Sequence, residues 1–306
     1  MRITAVVPCH NAAKWIEDSL RSIANQKRPP DEVIVVNDRS ADNSAEVVRA
    51  CMPEATIITT DFGNAAAARN EGVLHASGDW IAFLDSDDLW YSHHLDEAET
   101  LLCGTSDVAY LAHNDQLRCD VDPRGVKVER FTYPPVDQPT SGLTDETYFT
   151  WWAERAWFCT CTLVVQKCCF LEAGGFDISQ KRRHDFEMFL RVLKGHTWTY
   201  NPKASMAYRF QLNPSCISAD GLETAYYTLL GLIKNKDRYP GVEMDKAIET
   251  WARRTAKQIV LAPDEKIVEE AWSLCSNSLT TLNYYAWWAL KENHFIVASA
   301  LKLKRS

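Results

Sequence analysis

Trp80-Ile81-Ala82-Phe83-Leu84-Asp85-Ser86-Asp87-Asp88 joins a short apolar run to three carboxylates within four residues. The run has the length and composition of a strand, and its abrupt polar end reads as the rim of a sheet. Like charges this close repel one another and resist leaving water, so a fold that gathers them usually supplies a cation. A hard divalent ion, Mg2+ or Mn2+, takes one or two protein carboxylates and fills its remaining positions with water and diphosphate oxygens. A nucleoside diphosphate would therefore complete such a site. Taken alone, the acidic run is also open to a plainer account, a solvated turn in which Asp88 caps a following helix.

Upstream of this stretch, apolar runs alternate with amphipathic segments: Ile3 to Val7, Ala12 to Asn25, Glu32 to Val36, Ala41 to Cys51, Ala55 to Thr59 and Ala65 to Ala76. Repeated strand-helix units of this size predict an α/β fold with a doubly wound, mostly parallel sheet. Such sheets bind ligands beyond the carboxyl ends of their strands. Cys9-His10-Asn11, Asn37-Asp38-Arg39-Ser40 and Asp85-Ser86-Asp87-Asp88 occupy those positions, so three segments converge on one rim. A carboxylate at Asp38 can accept a hydrogen bond from a base imide or a ribose hydroxyl. Helix capping is the alternative for Asp38, and the role expected of Asp42. Arg69, on the Ala-rich helix of Gly63 to Gly72, can meet a pyrimidine carbonyl or a diphosphate, or can pair at the surface with a neighbouring acid.

Downstream, residues 107 to 142 are irregular, with Pro123, Pro134, Pro135 and Pro139 marking loops. Cys159 to Val165 reads as a strand. Asp185 to Lys194 reads as a helix, with Phe186, Phe189, Leu190 and Leu193 on one face. Beyond Asp220 the pattern is helical, near 221 to 236, 243 to 261 and 265 to 300. Trp151, Trp152, Trp157 and Phe158 either stack on a sugar acceptor or belong to the core.

The net charge of −8 excludes a general nucleic-acid binder. The ten cysteines lack zinc-like spacing and read as reduced, mostly buried thiols. Met1 to Pro8 holds only a strand-length apolar run, which predicts a cytoplasmic protein, and no apolar stretch is long enough to span a bilayer.

In this order the pieces resemble glycosyltransferase family 2. The resemblance is carried by Val6-Val7-Pro8-Cys9-His10-Asn11, Ser22 and Gln26, Val36-Asn37-Asp38-Arg39-Ser40, Ala68-Arg69-Asn70-Glu71-Gly72 and Gly78 through Asp88. It is firm over residues 1 to about 100, looser to about 215 and absent beyond. It implies a GT-A fold and an inverting transferase using a nucleoside diphosphate sugar, UDP-linked by first expectation, and a glycan or lipid-linked glycan acceptor. The resemblance places Pro8, His10, Asn11, Asp38, Arg69, Asp85 and Ser86 at the donor, with Asp38 toward the base, Arg69 toward base or diphosphate and Asp85 toward the ribose. Asp87 is the metal ligand and Asp88 a supporting group.

A later family segment, glycine-phenylalanine followed by Glu-Asp and a helix carrying arginine, matches Gly174-Gly175-Phe176-Asp177, His184-Asp185 and Arg191. Asp185 is then the base that takes the acceptor hydroxyl's proton. His184 stands where the family has glutamate, and three roles are open to it: tuning Asp185, contacting the acceptor and capping the helix. Tyr208-Arg209-Phe210-Gln211 matches a Tyr-Arg pair followed by histidine, with Gln211 in the histidine's place; Arg209 reaches the diphosphate or forms a buried ion pair. Trp157 is a candidate acceptor contact.

The implied organisation is a nucleotide-sugar-binding half over 1–105, an acceptor-binding half of the same catalytic domain over 106–219 and a helical extension over 220–306. In that extension Tyr284-Tyr285-Ala286-Trp287-Trp288 and the basic end Lys302 to Arg305 suit peripheral membrane contact. Packing on the catalytic domain, or on a second copy in a homo-oligomer, accounts for the aromatics equally well. The competing classes are a non-catalytic nucleotide-sugar or glycan-binding module and a nucleotidyltransferase. The latter is expected to carry a Gly-rich loop where this chain has Cys9-His10-Asn11-Ala12-Ala13.

Overall fold

Every residue of the first strand, Ile3–Cys9, is buried, the signature of a strand covered on both faces and paired on both edges. The structure is a computed structural model that describes residues 1–118, 127–129, 138–154, 158–210, 221–261 and 267–278. Its first part runs β1 (Ile3–Cys9), α1 (Ile16–Ala24), β2 (Glu32–Asp38), α2 (Ser44–Cys51), β3 (Thr56–Thr60), α3 (Ala65–His75), β4 (Trp80–Phe83), β5 (Leu89–Trp90) and α4 (His94–Leu102). There follow β6 (Ala109–Arg118), β7 (Lys127–Glu129), β8 (Thr140–Thr144), α5 (Asp145–Glu154), β9 (Val164–Gln166), α6 (Lys167–Glu172), α7 (His184–Val192) and β10 (Thr197–Phe210). Three helices follow: α8 (Leu222–Lys234), α9 (Val242–Leu261) and α10 (Val268–Ser278).

The strands form one sheet in the order β3-β2-β1-β4-β9-β6-β10-β5, with β7 beside β6 and β8 beside β10. β3, β2, β1 and β4 are mutually parallel. β9 runs antiparallel to both β4 and β6. β6 and its parallel neighbour β10 therefore point the same way as the first four strands. This is the mostly parallel α/β sheet expected from the strand-helix alternation, with reversed strands at β9 and at the β5 edge.

Contacts divide the chain into two units, one of Met1–Ser179 with His184–Cys216 and one of Gln180–Arg183 with Ile217–Ser306. Within the second, Leu229, Leu232, Ile248, Ala252, Ile259, Ala271 and Cys275 from α8, α9 and α10 are buried. The Gln180 side-chain amide donates to the Tyr227 carbonyl, and Arg182 Nε lies 2.5 Å from Glu223 Oε2. No helix among the described residues is long and apolar enough to cross a membrane. Residues from 279 onward, with the aromatic and basic segments named above, lie outside the described residues, as do Trp157 and Gln211.

Two sequence expectations are corrected. Cys159 to Val165 is not one strand: Thr160–Thr162 forms a 3₁₀ turn, and only Val164–Gln166 pairs in the sheet. The Thr162 hydroxyl donates to Cys159 O at 2.9 Å, the local side-chain bonding by which threonine competes with a ladder. Conversely, the 14-residue strand β10 gave no clear signal, because Pro202 falls inside it. The sheet accommodates it through register shifts between Asn201 and Ala204 and between Ala204 and Met206. Of the eight cysteines described, all free, only Cys9, Cys161, Cys169 and Cys275 are buried.

α3 lies against β1 and β2 because Gly72 has no side chain. A Cβ there would sit 2.4 Å from Val6 Cγ1 and 3.2 Å from Val36 Cγ2, both on stiff, buried β-branched residues. Gly72→Ala gains about 1 kcal/mol of helix propensity but overpacks the core at about 1–3 kcal/mol. Urea unfolding is expected to show net destabilisation.

Two carboxylates staple the start of β1. Asp31 Oδ2 accepts from Ile3 N at 2.8 Å, and Glu32 Oε2 from Thr4 Oγ1 at 2.6 Å and Ser77 N at 2.7 Å. Burial alone would raise both pKa values, but these hydrogen bonds, with Arg28 beside Asp31, hold them below the usual range. Groups lowered in the folded state stabilise it fully above about pH 5, and that contribution is lost as pH falls through the folded values. An Asp31→Asn, Glu32→Gln double variant should be less stable than the parent at neutral pH and lose less on acidification, as read from unfolding free energies between about pH 7 and pH 3.

Candidate active site

The acidic run follows β4 as a turn, closed by Asp88 N donating to Asp85 O at 3.0 Å. One face of α1 and the segment just past it hold this turn from below. Ser19 Oγ lies 2.9 Å from Ser86 O and 2.7 Å from Asp88 O. Ser22 Oγ accepts from Trp90 N at 3.1 Å. The Gln26 amide donates to Tyr91 O at 2.9 Å and accepts from Leu95 N at 3.2 Å. Positions 19, 22 and 26 share a helical face, so these polar residues form a ladder under the backbone that leaves the acidic run.

The three carboxylates separate by environment. Asp88 is completely buried; its Oδ1 accepts from Arg209 N at 2.9 Å and its Oδ2 from the Cys161 thiol at 3.4 Å. Burial, then Asp87 and Asp85, raise its pKa well above the usual range. Cys161 Sγ also accepts from Asp85 N at 3.3 Å. The Cys161 thiol is held protonated by its hydrogen bond with Cys159 and by burial, with the neighbouring carboxylates adding to both. Potential ligand atoms of Asp85, Asp88 and Cys161 lie within 4.8 Å of one another. Asp87 is pushed up to about 6, first by burial and then by the charge of Asp85. No ion pair engages it among the described residues.

Asp85 is neutralised from the other side. Arg69, only 4% exposed, directs Nη2 to Asp85 Oδ1 and donates through Nη1 to His184 Nε2 at 3.0 Å. Its guanidinium carbon lies 5.5 Å from the Phe176 ring centre, and Phe176 meets the His184 ring edge-on at 5.6 Å. Burial and the charge of Arg69 push His184 down to about 4, so at neutral pH the ring is uncharged and its Nε2 is free to accept. Asp185 follows directly and adds to the field on Arg69. Arg69, Asp85, His184 and Asp185, separated widely in sequence, thus share one locus.

The neighbour of Arg69 fixes this arrangement. Asn70 Nδ2 donates to Phe176 O at 2.8 Å, and its Oδ1 accepts from Phe176 N at 2.8 Å. Asn64 caps α3 through Ala66 N at 2.9 Å and Ala67 N at 3.1 Å, and donates to Ile178 O at 3.0 Å. Gly174 and Gly175 have φ of 87° and 65°, a region open to glycine that lets the chain turn into this clamp. At the far side of α7, Arg191 pairs with Glu187 at 2.6 Å and donates to Ala173 O.

The second rim cluster lies at the ends of β1 and β2. Asp38 accepts from Phe62 N at 2.6 Å, Asn64 N at 2.9 Å and Thr60 Oγ1 at 3.1 Å. Burial would raise its pKa, but the surrounding N–H groups outweigh it and hold the carboxyl ionised. Three of a carboxylate's roughly four acceptor positions are thereby used. His10 Nδ1 donates to Asp38 O at 2.6 Å, and its Nε2 accepts from Asn11 Nδ2 at 3.1 Å. Asn11, at φ 49°, accepts from Ala41 N on Oδ1 at 2.8 Å and donates its own N–H to Ser40 Oγ at 3.0 Å. Asp42 accepts from Ala13 N at 3.0 Å and Ser44 N at 3.1 Å, tying the two loops together. These bonds hold Ala12 and Ala13 in a loop, so α1 begins at Ile16 rather than at Ala12.

Pro8 and Ser86 sit within this framework, Pro8 paired with Val36 and Ser86 carrying the carbonyl that Ser19 meets. The Arg209 side chain makes the ion-pair alternative, with Nη2 2.7 Å from Asp18 Oδ2 and its guanidinium 5.3 Å from the Trp15 ring centre. Trp151 and Phe158 pack edge-on against Trp198 and Tyr200 at 5.5 to 5.8 Å, an aromatic core. Ser19, Asn70 and Cys161 were not singled out from sequence. The helical spacing of Ser19 with Ser22 and Gln26 is a readable signal; Cys161, remote in sequence from the acidic run, offers none.

The model of glycosyl transferase family 2 matches residues 4–152. Over those residues the chain belongs to glycosyl transferase family 2. An uncharacterised glycosyltransferase of Rickettsia bellii is 36% identical over 97 residues, 31% of this chain, and the chain spans only 14% of that relative's length. A UDP-Glc:alpha-D-GlcNAc-diphosphoundecaprenol beta-1,3-glucosyltransferase of Escherichia coli is 34% identical over 96 residues, 31% of this chain and 38% of its own. In fold, this family member is similar to residues 1–349 of S. aureus TarS, solved in complex with UDP-GlcNAc, with a TM-score of 0.71 and 16% identity over 99% of this chain and 92% of that one. The GT-A architecture expected from the resemblance is thus the one adopted.

Asn70→Ala removes both hydrogen bonds to Phe176 and leaves that peptide's N–H and C=O without their partner. The expected destabilisation is about 1–3 kcal/mol, read as a lowered midpoint of thermal unfolding.

Proposed function

We propose that this chain is an inverting glycosyltransferase that moves a sugar from a nucleoside diphosphate sugar, UDP-linked in the first instance, to a hydroxyl of a glycan or lipid-linked glycan acceptor, in polysaccharide or glycolipid assembly. The observation that carries the reading is the buried Arg69 fork, which joins Asp85 of the acidic run to His184 beside Asp185. The acidic run and the segment that carries Asp185, distant in sequence, meet through that fork, which supports reading them as one site. The diphosphoundecaprenol in the name of the E. coli relative supports the acceptor class, and the UDP-GlcNAc complex of TarS supports the donor class. We assign the reaction to the cytoplasm.

In this reading Asp185 takes the proton of the acceptor hydroxyl as its oxygen attacks the anomeric carbon opposite the diphosphate. The new C–O bond forms as the bond to the diphosphate oxygen breaks, the diphosphate leaves with the bonding pair, and the anomeric centre inverts. Asp38, His10 and Asn11 hold the nucleoside. Arg69 and Asp85 orient the ribose and diphosphate side of the donor.

The carboxylates fit a divalent cation. Asp87 is raised by burial beside Asp85, and the more distant Arg209 and Arg69 do not offset this, so a bound cation would supply the missing countercharge. Asp87, with Asp85, would hold Mn2+ or Mg2+, whereas the oxygens of Asp88 are committed to Arg209 N and Cys161. When bound, the ion supplies charge neutralisation at the leaving diphosphate.

The test is a panel of nucleotide sugars, assayed with manganese for release of nucleoside diphosphate. Turnover is expected with at least one donor, Asp185→Asn should lower kcat by about 10²–10⁴ with little change in donor binding, and Asp87→Ala should weaken both. Donor binding without turnover would point instead to a binding module. Full activity in Asp185→Asn would remove it as the base.

A further inference from the structure

Arg69 reaches its place almost without redundancy. Its Nε is buried with no hydrogen-bond partner, so the direction of the fork rests on Asp85, on His184 and on the face of Phe176. Asn70 fixes the Phe176 backbone to α3, but among the described residues it is His184 that carries this attachment to the first turn of α7. Asp185 is the next residue. We propose that His184 is a positioning residue: by accepting the Arg69 Nη1 hydrogen bond on Nε2 it fixes the first turn of α7, and with it Asp185, relative to the donor carboxylate Asp85. This rests on the reading of Asp185 as the base.

The role is specific to one ring atom, which separates it from helix capping. The Oε1 of glutamine reaches about as far from the backbone as histidine Nε2 and can accept in its place, whereas asparagine ends near the position of Nδ1 and falls short of Arg69. Asparagine is also the better N-cap of the two. A residue that capped the helix would be replaced by Asn; one that received Arg69 would be replaced by Gln.

The experiment compares the full chain with His184→Gln, His184→Asn and His184→Ala in donor turnover, donor KM, UDP binding by calorimetry and thermal unfolding. The expected result is kcat near the parent value in His184→Gln and a loss of about 100-fold in His184→Asn and His184→Ala, with UDP affinity retained in His184→Gln. Parent-like kcat in His184→Asn or His184→Ala, or a Gln variant as impaired as Ala, overturns the proposal. The imidazole tautomer, read by nitrogen NMR at neutral pH with His184→Gln for assignment, tests the contact without turnover. A proton on Nδ1 alone supports it, and a proton on Nε2 overturns it. If the parent turns over no donor, the reading of the chain as an enzyme fails, while the tautomer still decides the contact.

Discussion

A guanidinium taken out of water needs its charge compensated, and Arg69 finds that compensation, with an acceptor for each end of its fork, in groups from two other parts of the chain. Asp85 supplies the charge and His184 an acceptor, with the Phe176 ring face nearby. Removing Asp85 would leave a buried charge poorly compensated, a larger penalty than the pair itself contributes, and removing His184 would leave a buried N–H without its acceptor. The rim of the first four strands and the start of α7 are therefore fixed to one another by an electrostatic requirement as well as by apolar packing.

Around that pair, the carboxylates of the acidic run differ in what they can do although they lie within four residues. Asp85 is paired, Asp88 is turned inward onto a backbone N–H and a thiol, and Asp87 makes no ion pair among the described residues. The proximity of three negative charges thus resolves into one ion pair, one structural acceptor and one group suited to a cation. The arrangement also explains why a buried cysteine borders the site. The Cys161 thiol donates to Asp88 and its sulfur accepts from Asp85 N, so it serves both ends of the turn without adding a charge.

The first hundred residues were legible because each strand there is a continuous apolar run ending in polar residues, and each intervening helix has its own period. Asp38 and Asp85 could be named from position, since the carboxyl ends of parallel strands form one rim, whereas Arg69, on a helix, was assigned to the donor by the family resemblance. The second half was less legible for physical reasons. Pro202 sits inside β10 at a register shift that only a neighbouring strand can reveal, and the Thr162 hydroxyl, bonded to the Cys159 carbonyl, favours a 3₁₀ turn over part of an apparent strand. His184 was visible as a departure from the family pattern, but its partner lies 115 residues away. The aromatic residues near 150 are ambiguous as text, because stacking on a sugar and packing on Trp198 and Tyr200 call for the same side chains.

The ladder of Ser19, Ser22 and Gln26 beneath the acidic turn has a further consequence. All three are uncharged, and their bonds go to backbone groups of Ser86, Asp88, Trp90, Tyr91 and Leu95. Ionic strength screens charges but leaves such neutral contacts largely untouched. The conformational entropy of this segment is surrendered when the chain folds, so an anionic ligand arriving later meets a surface already in shape and gives up little affinity to ordering it. Selectivity at this edge of the sheet then depends on which charges are presented there, because the backbone that presents them is set in advance.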